Sequence, residues 1–473
     1  MDSITASFLV YTLIVFGFGV YAARFARHSS NDFFLAGRRL GPWLAGLSMS
    51  ASAESGWVTL GLVGMAFHTG IGAFWILPGT VAAIAFNWWV LGRRLRSVAA
   101  GQGAVTLPDV LAGPFSGCAA RLIRTVAVLI ILSMLTAYVA AQLTAAAKTF
   151  EATFGWSYLA GIAMGAAIVL IYTSLGGFRA VAWTDVLQAM LMILAVTLLP
   201  WTLVGELGGM DAVLSRLAVQ DAALTDPLAA RAGLALFGFF MLWLGIPFGY
   251  SGQPHVLVRY MAARDERAIL RGAVISNIWV FVLFSGAVLL GIAARAYYGE
   301  LADAEKALPI AAAGLLPGWL AGMMIAAVMA AVCSTADSQL LVAASAVSHD
   351  LLRGVFGREV RERSLLAVHR AMVLLIGLTA AAIAAAESRV IFHFVLYAWA
   401  GLGAAFGPAL ILLLFWRRTN AAGVLAGMVT GVLTAVIWVE TPVLKSLCYE
   451  MIPAFITAFV AVAVVSLASS RRA

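Results

Sequence analysis

Apolar runs of about twenty residues recur along almost the whole chain, parted by short polar breaks. That pattern decides the solvent before anything else. A helix rising 1.5 Å per residue needs roughly twenty such residues to cross a hydrocarbon core of ~30 Å. With 63% of its residues hydrophobic and 11% charged, a soluble chain of this length could not hide its apolar surface. The reading is an all-α polytopic membrane protein whose partner is the lipid bilayer. Thirteen transmembrane helices are expected, at 5–25, 40–66, 70–92, 122–148, 157–174, 182–205, 232–258, 272–295, 315–348, 366–386, 390–416, 420–439 and 448–469.

Basic residues set the orientation. With the N-terminus outside and the C-terminus cytoplasmic, only Lys148, Arg216, Arg231, Arg295, Lys306, Arg389 and Lys445 of the 30 fall on the outer side. Losing one span would scramble this alternation, so the asymmetry supports an odd helix count. The formal charge of +8 then reports topology and an anionic inner leaflet, with no basic soluble domain for nucleic acid. The outer loop at about 206–231 is acidic and is expected to carry a short surface helix. The first segment begins at Asp2, lacks a basic n-region and reads as a retained helix, not a signal peptide. No soluble effector module is read, which argues against a self-contained sensor.

Three acids sit inside this apolar background: Glu54, Asp185 and Asp337. An acid near the bilayer centre costs roughly 2.5–3.5 kcal/mol on insertion scales, so such residues usually mark an ion or substrate path. Two spans also look interrupted. The second carries SMSASAESGW, dense in serine, and the seventh carries GIPFGYSGQPH, dense in proline and glycine. Irregular backbone survives in a membrane where it lines a cavity, and its freed carbonyls make good ligands for ions and charged groups. Ordinary kinks are the plain alternative. The breaks lie five spans apart, an odd offset that places two repeats in opposite orientation.

Other chemistry finds little support. Cys118, Cys333 and Cys448 lie at different depths and make neither a disulfide framework nor a metal site. His28, His68, His255, His349, His369 and His393 show no ligand spacing. There is no phosphate-binding GxxxxGK[ST] loop and no hydrolase signature. The chain is therefore read as no enzyme, with no organic cofactor and no transition metal.

Six ordered blocks carry a resemblance: DFFLAGRRLGPWLAGLS at 32–48, TLPDVL at 106–111, YTSLGGFRAVAWTDVLQ at 172–188, GYSGQPHVLVRYMAA at 249–263, AAVCSTADSQLLV at 330–342 and YAWAGLGAAFGPALIL at 397–412. Together they resemble the sodium:solute symporter family, most closely its bacterial proline branch. The resemblance implies a LeuT-type inverted repeat of 5+5 helices within one transporter domain, 1–473. Its parts would be a leading helix at 1–30, repeats at 40–205 and 232–416, and two trailing helices at 420–469. It implies secondary active symport of sodium with a small solute, L-proline foremost, in the bacterial inner membrane. A monomer is the expected working unit.

Carried over by position, the resemblance implies a sodium site from the carbonyls of Ala51, Glu54 and Ala331 and the hydroxyls of Ser334 and Thr335. Five oxygens suit a hard cation; back-bonding to the preceding helical turn is the plain alternative for the hydroxyls. A second ion site would use Asp185, Ser334, Asp337 and Ser338, the last three sharing one helix face. Asp185 is equally readable as part of a helix cap with Thr184. Substrate residues would be Ser55, Gly56, Trp57, Tyr138, Tyr250 and Pro254, an aromatic pocket suited to a small zwitterion.

The resemblance departs at two points. Ala53 stands where the proline branch has an aspartate, with Glu54 one residue later, a step of about 100° on a helix. Ile246 stands where a tryptophan is usual, with Trp243 near. The alternatives are a proton-coupled symporter of another amino acid or small carboxylate, with Glu54 or Asp337 titrating, and a transceptor or membrane part of a sensor.

Overall fold

The computed structural model describes residues 2–23, 30–358, 361–386 and 390–470. Among these the chain is helical nearly throughout, and Leu40 and Ala263 form an isolated β-bridge. Among the described residues ten helices are long and apolar enough to cross a membrane, and Ser3–Phe18 and Tyr158–Ile171 are shorter apolar helices. The acidic loop at about 206–231 carries the helix Met210–Gln220, as its sequence suggested. Cys118 is exposed, Cys333 buried and Cys448 half-buried, all as free thiols.

The expected spans 157–174 and 182–205 correspond to two helices, Tyr158–Ile171 and Gly177–Leu207, parted by a kink at Gly177 within Tyr158–Leu207. There φ is 62° and ψ 178°, a conformation open to glycine and strained for any side chain. A Cβ at that point would also lie 2.9 Å from the ring of Phe33.

The helix Gly318–Ser345 occupies the centre, packed against Gly117–Phe154, Tyr158–Leu207 and Ser3–Ala23. In the most apolar window of its span 83% of residues are buried, against 28% for Ser364–Ala386 and Met451–Ser470, which face outward. Its alanine-rich sequence explains the position, because small side chains let neighbouring backbones come close. That centre is where the polar residues collect.

Both expected breaks are present. Pro42–Ala53 starts with proline at its first turn and stops where Glu54 leaves helical geometry, at φ −98° and ψ 90°. A wide-turn segment, Trp57–Leu62, resumes the helix. In the other, Gly233–Gly245 tightens into a 3-10 stretch, Ile246–Gly252, and Gln253 is extended at φ −84° and ψ 109°. Pro254 explains that stop: it disfavours helical backbone in the residue before it and then opens the helix Pro254–Ala262.

Candidate functional site

The first break meets the central helix through oxygen atoms. Ser334 donates its hydroxyl to the carbonyl of Ala51 at 2.8 Å and of Ala331 at 3.2 Å, and Thr335 donates to Ser52 O at 3.1 Å. Ser334 and Thr335 are fully buried. Three of the five groups expected for sodium thus meet at one point, with Thr335 one residue along and Glu54 at the break itself. Back-bonding is present at Ser334, but its shorter bond crosses to the broken helix. Hard oxygen donors of this kind fit a sodium ion and offer nothing to a soft metal.

A second polar cluster lies alongside. Asp185 Oδ2 accepts hydrogen bonds from Ser48 at 2.6 Å and Ser52 at 3.1 Å. Thr184 back-bonds to Ala180 O at 3.0 Å, well inside the helix that restarts after Gly177. The helix-cap reading of Asp185 is therefore corrected: the residue is mid-helix and its carboxylate points across to other helices. Ser338 donates to Ser334 O at 2.9 Å and to Asp337 Oδ1 at 3.2 Å. All four residues expected for a second ion come together.

Arg259 joins them, and the sequence reading had assigned it to a cytoplasmic loop. Its guanidinium is fully buried, 3.1 Å from Asp185 Oδ2, 2.6 Å from Ser52 Oγ and 2.5 Å from Ser338 Oγ. It also lies over the ring of Phe178, 5.0 Å from the centroid, and donates to the carbonyl of His255. A signal existed in the sequence, since Arg259 is flanked by VLV and YMA with no polar break.

The expected substrate residues surround the two breaks. Gly56 N donates to Gln142 Oε1 at 3.0 Å and Trp57 N to Ser55 Oγ at 3.1 Å, which satisfies groups the break frees. A Cβ on Gly56 would lie 2.9 Å from that of Ala145, so the approach requires glycine. Ser55 Oγ lies 3.5 Å from the Tyr138 hydroxyl, and Tyr250 donates to the carboxylate of Glu54. Trp57 stacks on Phe392 at 5.5 Å between centroids. Pro254 is buried at the start of its helix.

Trp399 binds these pieces together and was not singled out from sequence, although its YAWAG stretch was. Its ring meets Tyr250 edge-on at 4.9 Å and Tyr138 at 6.4 Å. Its indole donates to Ile246 O at 2.8 Å, and its own carbonyl accepts from Gln253 at 2.9 Å. Trp243 packs instead against Phe239 and Phe392.

Two discontinuous helices that deliver oxygen donors and aromatic rings to the buried centre of a helical membrane bundle define a secondary transporter. Comparison with known proteins narrows the class. The model of the sodium:solute symporter family matches residues 33–431. A curated relative, the sodium/proline symporter of Escherichia coli (strain K12), is 37% identical, covering 97% of this chain and 93% of its own. The osmoregulated proline transporter OpuE of Bacillus subtilis (strain 168) is 34% identical over 94% and 90%. Among solved structures, a Na+-coupled sialic acid symporter in a substrate-bound outward-open state superposes with TM-score 0.83 at 18% identity, over 99% of this chain and 98% of that one. Mhp1, a nucleobase-cation-symport-1 family transporter in a closed conformation, gives 0.57 at 13% identity, over 92% and 93%.

The chain belongs to the sodium:solute symporter family. It is a multi-pass membrane symporter with sodium as its coupling ion, and not an enzyme.

Proposed function

We propose that the protein carries L-proline together with sodium across the bacterial inner membrane by alternating access. The observation that carries the reading is the meeting of Ser334 with Ala51 across the break, beside an aromatic pocket built on the same break. Sodium would be held by the carbonyls of Ala51, Glu54 and Ala331 and the hydroxyls of Ser334 and Thr335. The solute would lie among Ser55, Gly56, Trp57, Tyr138, Tyr250 and Pro254. An ion that joins the broken helix to Gly318–Ser345 favours one access state, and solute closure then permits the other.

The second group, Asp185, Ser334, Asp337 and Ser338, already contains a cation in Arg259. The guanidinium pairs with Asp185 and occupies the place a second ion would take, so the proposal includes one sodium per solute. The near-identical backbone of Glu54 and Gln253 at the two breaks supports repeats at 40–205 and 232–416, with a leading helix and two trailing ones. Our reading includes thirteen spans with the N-terminus outside, which that arrangement and the basic-residue asymmetry support. One chain supplies every group, which supports a monomer as the working unit.

Labelled L-proline uptake into proteoliposomes tests the reading, under an inward sodium gradient, an inward proton gradient or neither. Accumulation that needs sodium is the expected result. Uptake driven by protons alone would retire the sodium site, and none under any gradient would retire proline.

A further inference from the structure

We infer that the side chain of Glu54 is the counter-ion for a cationic nitrogen on the transported solute. This rests on the symporter reading and deepens it. Glu54 is 2% exposed, and the hydrogen-bond partner of its carboxylate among the described residues is the Tyr250 hydroxyl, a neutral group. Two other buried carboxylates have a cation, Asp185 with Arg259 and Glu305 with Lys148, whereas Asp337 and Asp350 accept hydroxyl hydrogen bonds from Ser338 and Thr106. Glu54 has no Lys, Arg or His nitrogen within ion-pair distance among the described residues. A buried carboxylate without a counter-charge is costly by several kcal/mol, and a cation arriving from outside the chain would relieve that cost.

That partner is not the sodium proposed at Ser334. Ser334 and Thr335 reach Ala51 and Ser52, whereas the Glu54 carboxylate turns toward the other broken helix at Tyr250. There it faces aromatic rings, with Tyr250 and Trp399 edge to face at 4.9 Å and Tyr138 next to Trp399. Rings of this kind attract an ammonium group and accept its alkyl substituents. Gln142, fully buried with its Nε2 unpartnered, adds a donor beside Gly56 for a solute carboxylate. The chemistry selected is a zwitterion with an alkylated ammonium, such as an imino acid or a betaine. Glu54 would then touch both cargoes, the ion through its carbonyl and the solute through its carboxylate.

The test uses the purified full chain in saturating sodium and reads the stabilisation given by L-proline, glycine betaine and tetrahydrofuran-2-carboxylate, which carries oxygen in place of the proline nitrogen. The wild type should prefer a cationic solute over the oxygen analogue by roughly 100-fold, the scale of a desolvated charge pair. Glu54→Gln should cut that preference to within about threefold, the worth of an ordinary neutral hydrogen bond. Glu54→Asp should keep much of it, and stabilisation of both variants by sodium alone checks that they fold. A preference for betaine in place of proline, lost in Glu54→Gln, would retire proline and uphold the inference. Proline binding to Glu54→Gln with undiminished preference would overturn the inference and leave the proline reading intact. A changed pH dependence of uptake with the preference unaltered would make Glu54 a proton carrier and also overturn it.

Discussion

Arg259 and Asp185 form an ion pair at 3.1 Å in which neither side chain has any solvent exposure. Such a pair holds the Pro254–Ala262 helix to Tyr158–Leu207 in the buried centre of the helical bundle. Removing one member leaves a buried charge unanswered, a loss of roughly 3–5 kcal/mol. Arg259→Ala should therefore lower the thermal stability of the purified protein sharply. It should also create a new sodium response, because Asp185 and Asp337 would then need a cation. Wild-type uptake should depend on sodium with a Hill coefficient near one. A coefficient clearly above one would count against Arg259 as the resident cation.

Ser334 and Thr335 make a separate prediction. Each hydroxyl donates to a carbonyl of the broken helix, so its loss should cost about 1 kcal/mol of stability. If the same oxygens bind sodium, Ser334→Ala and Thr335→Ala should raise the half-saturating sodium concentration for uptake by about tenfold, the effect of losing ~1.4 kcal/mol of ion binding. Melting curves and sodium titrations on the same preparations separate the two effects. A lower melting temperature with an unmoved sodium curve would reduce both residues to helix packing.

Much of this architecture was legible because the bilayer permits so little. An apolar run of twenty residues has one outcome in a membrane, and Pro247, Pro254 and the serines before Glu54 mark where the backbone must leave it. Ser334 and Asp337 stood out for the same reason, as polar groups in an alanine-rich helix. What escaped was whatever depends on a distant partner. Arg259 is deep because Asp185, 74 residues away, is there to meet it. Trp399 matters through Ile246 O and Tyr250, neither of which is near it in sequence. Asp185 looked like a cap because the restart of its helix at Gly177 was placed too late.

At one end of the bundle, Asp109 offers a pH prediction. Burial pushes its carboxyl up, but the hydrogen bond and charge of His349, the N–H of Val105 and Arg124 together outweigh this and hold it at about 2. The folded value lies below the unfolded value of about 3.9, so the stabilisation is complete above pH ~4 and is lost as pH falls toward 2. Melting curves of wild type and Asp109→Asn should differ most above pH ~4 and converge near pH 2. A constant difference across that range would mean that the carboxylate charge contributes nothing.

The last prediction concerns the end where Trp57 stacks on Phe392. Lys148, with 5% of its side chain exposed, lies 2.5 Å from Glu305 and 2.9 Å from Asp303. The same Glu305 carboxylate accepts the backbone N–H of Ile391 at 3.1 Å and of Phe392 at 2.9 Å, at the start of the helix Ile391–Phe415. It therefore ties that helix to Gly117–Phe154 directly above the stacked rings, and favourable alignment with the helix dipole strengthens it. Glu305→Ala leaves the buried ammonium with Asp303 alone and frees both N–H groups, so a loss of about 1–3 kcal/mol is expected. If the tie also closes the pocket, bound solute should leave several-fold faster from the variant, with the sodium titration of Ser334 and Thr335 unchanged. Radiolabelled solute release from preloaded protein measures this directly, and an unchanged release rate in a destabilised variant would confine Glu305 to holding the fold.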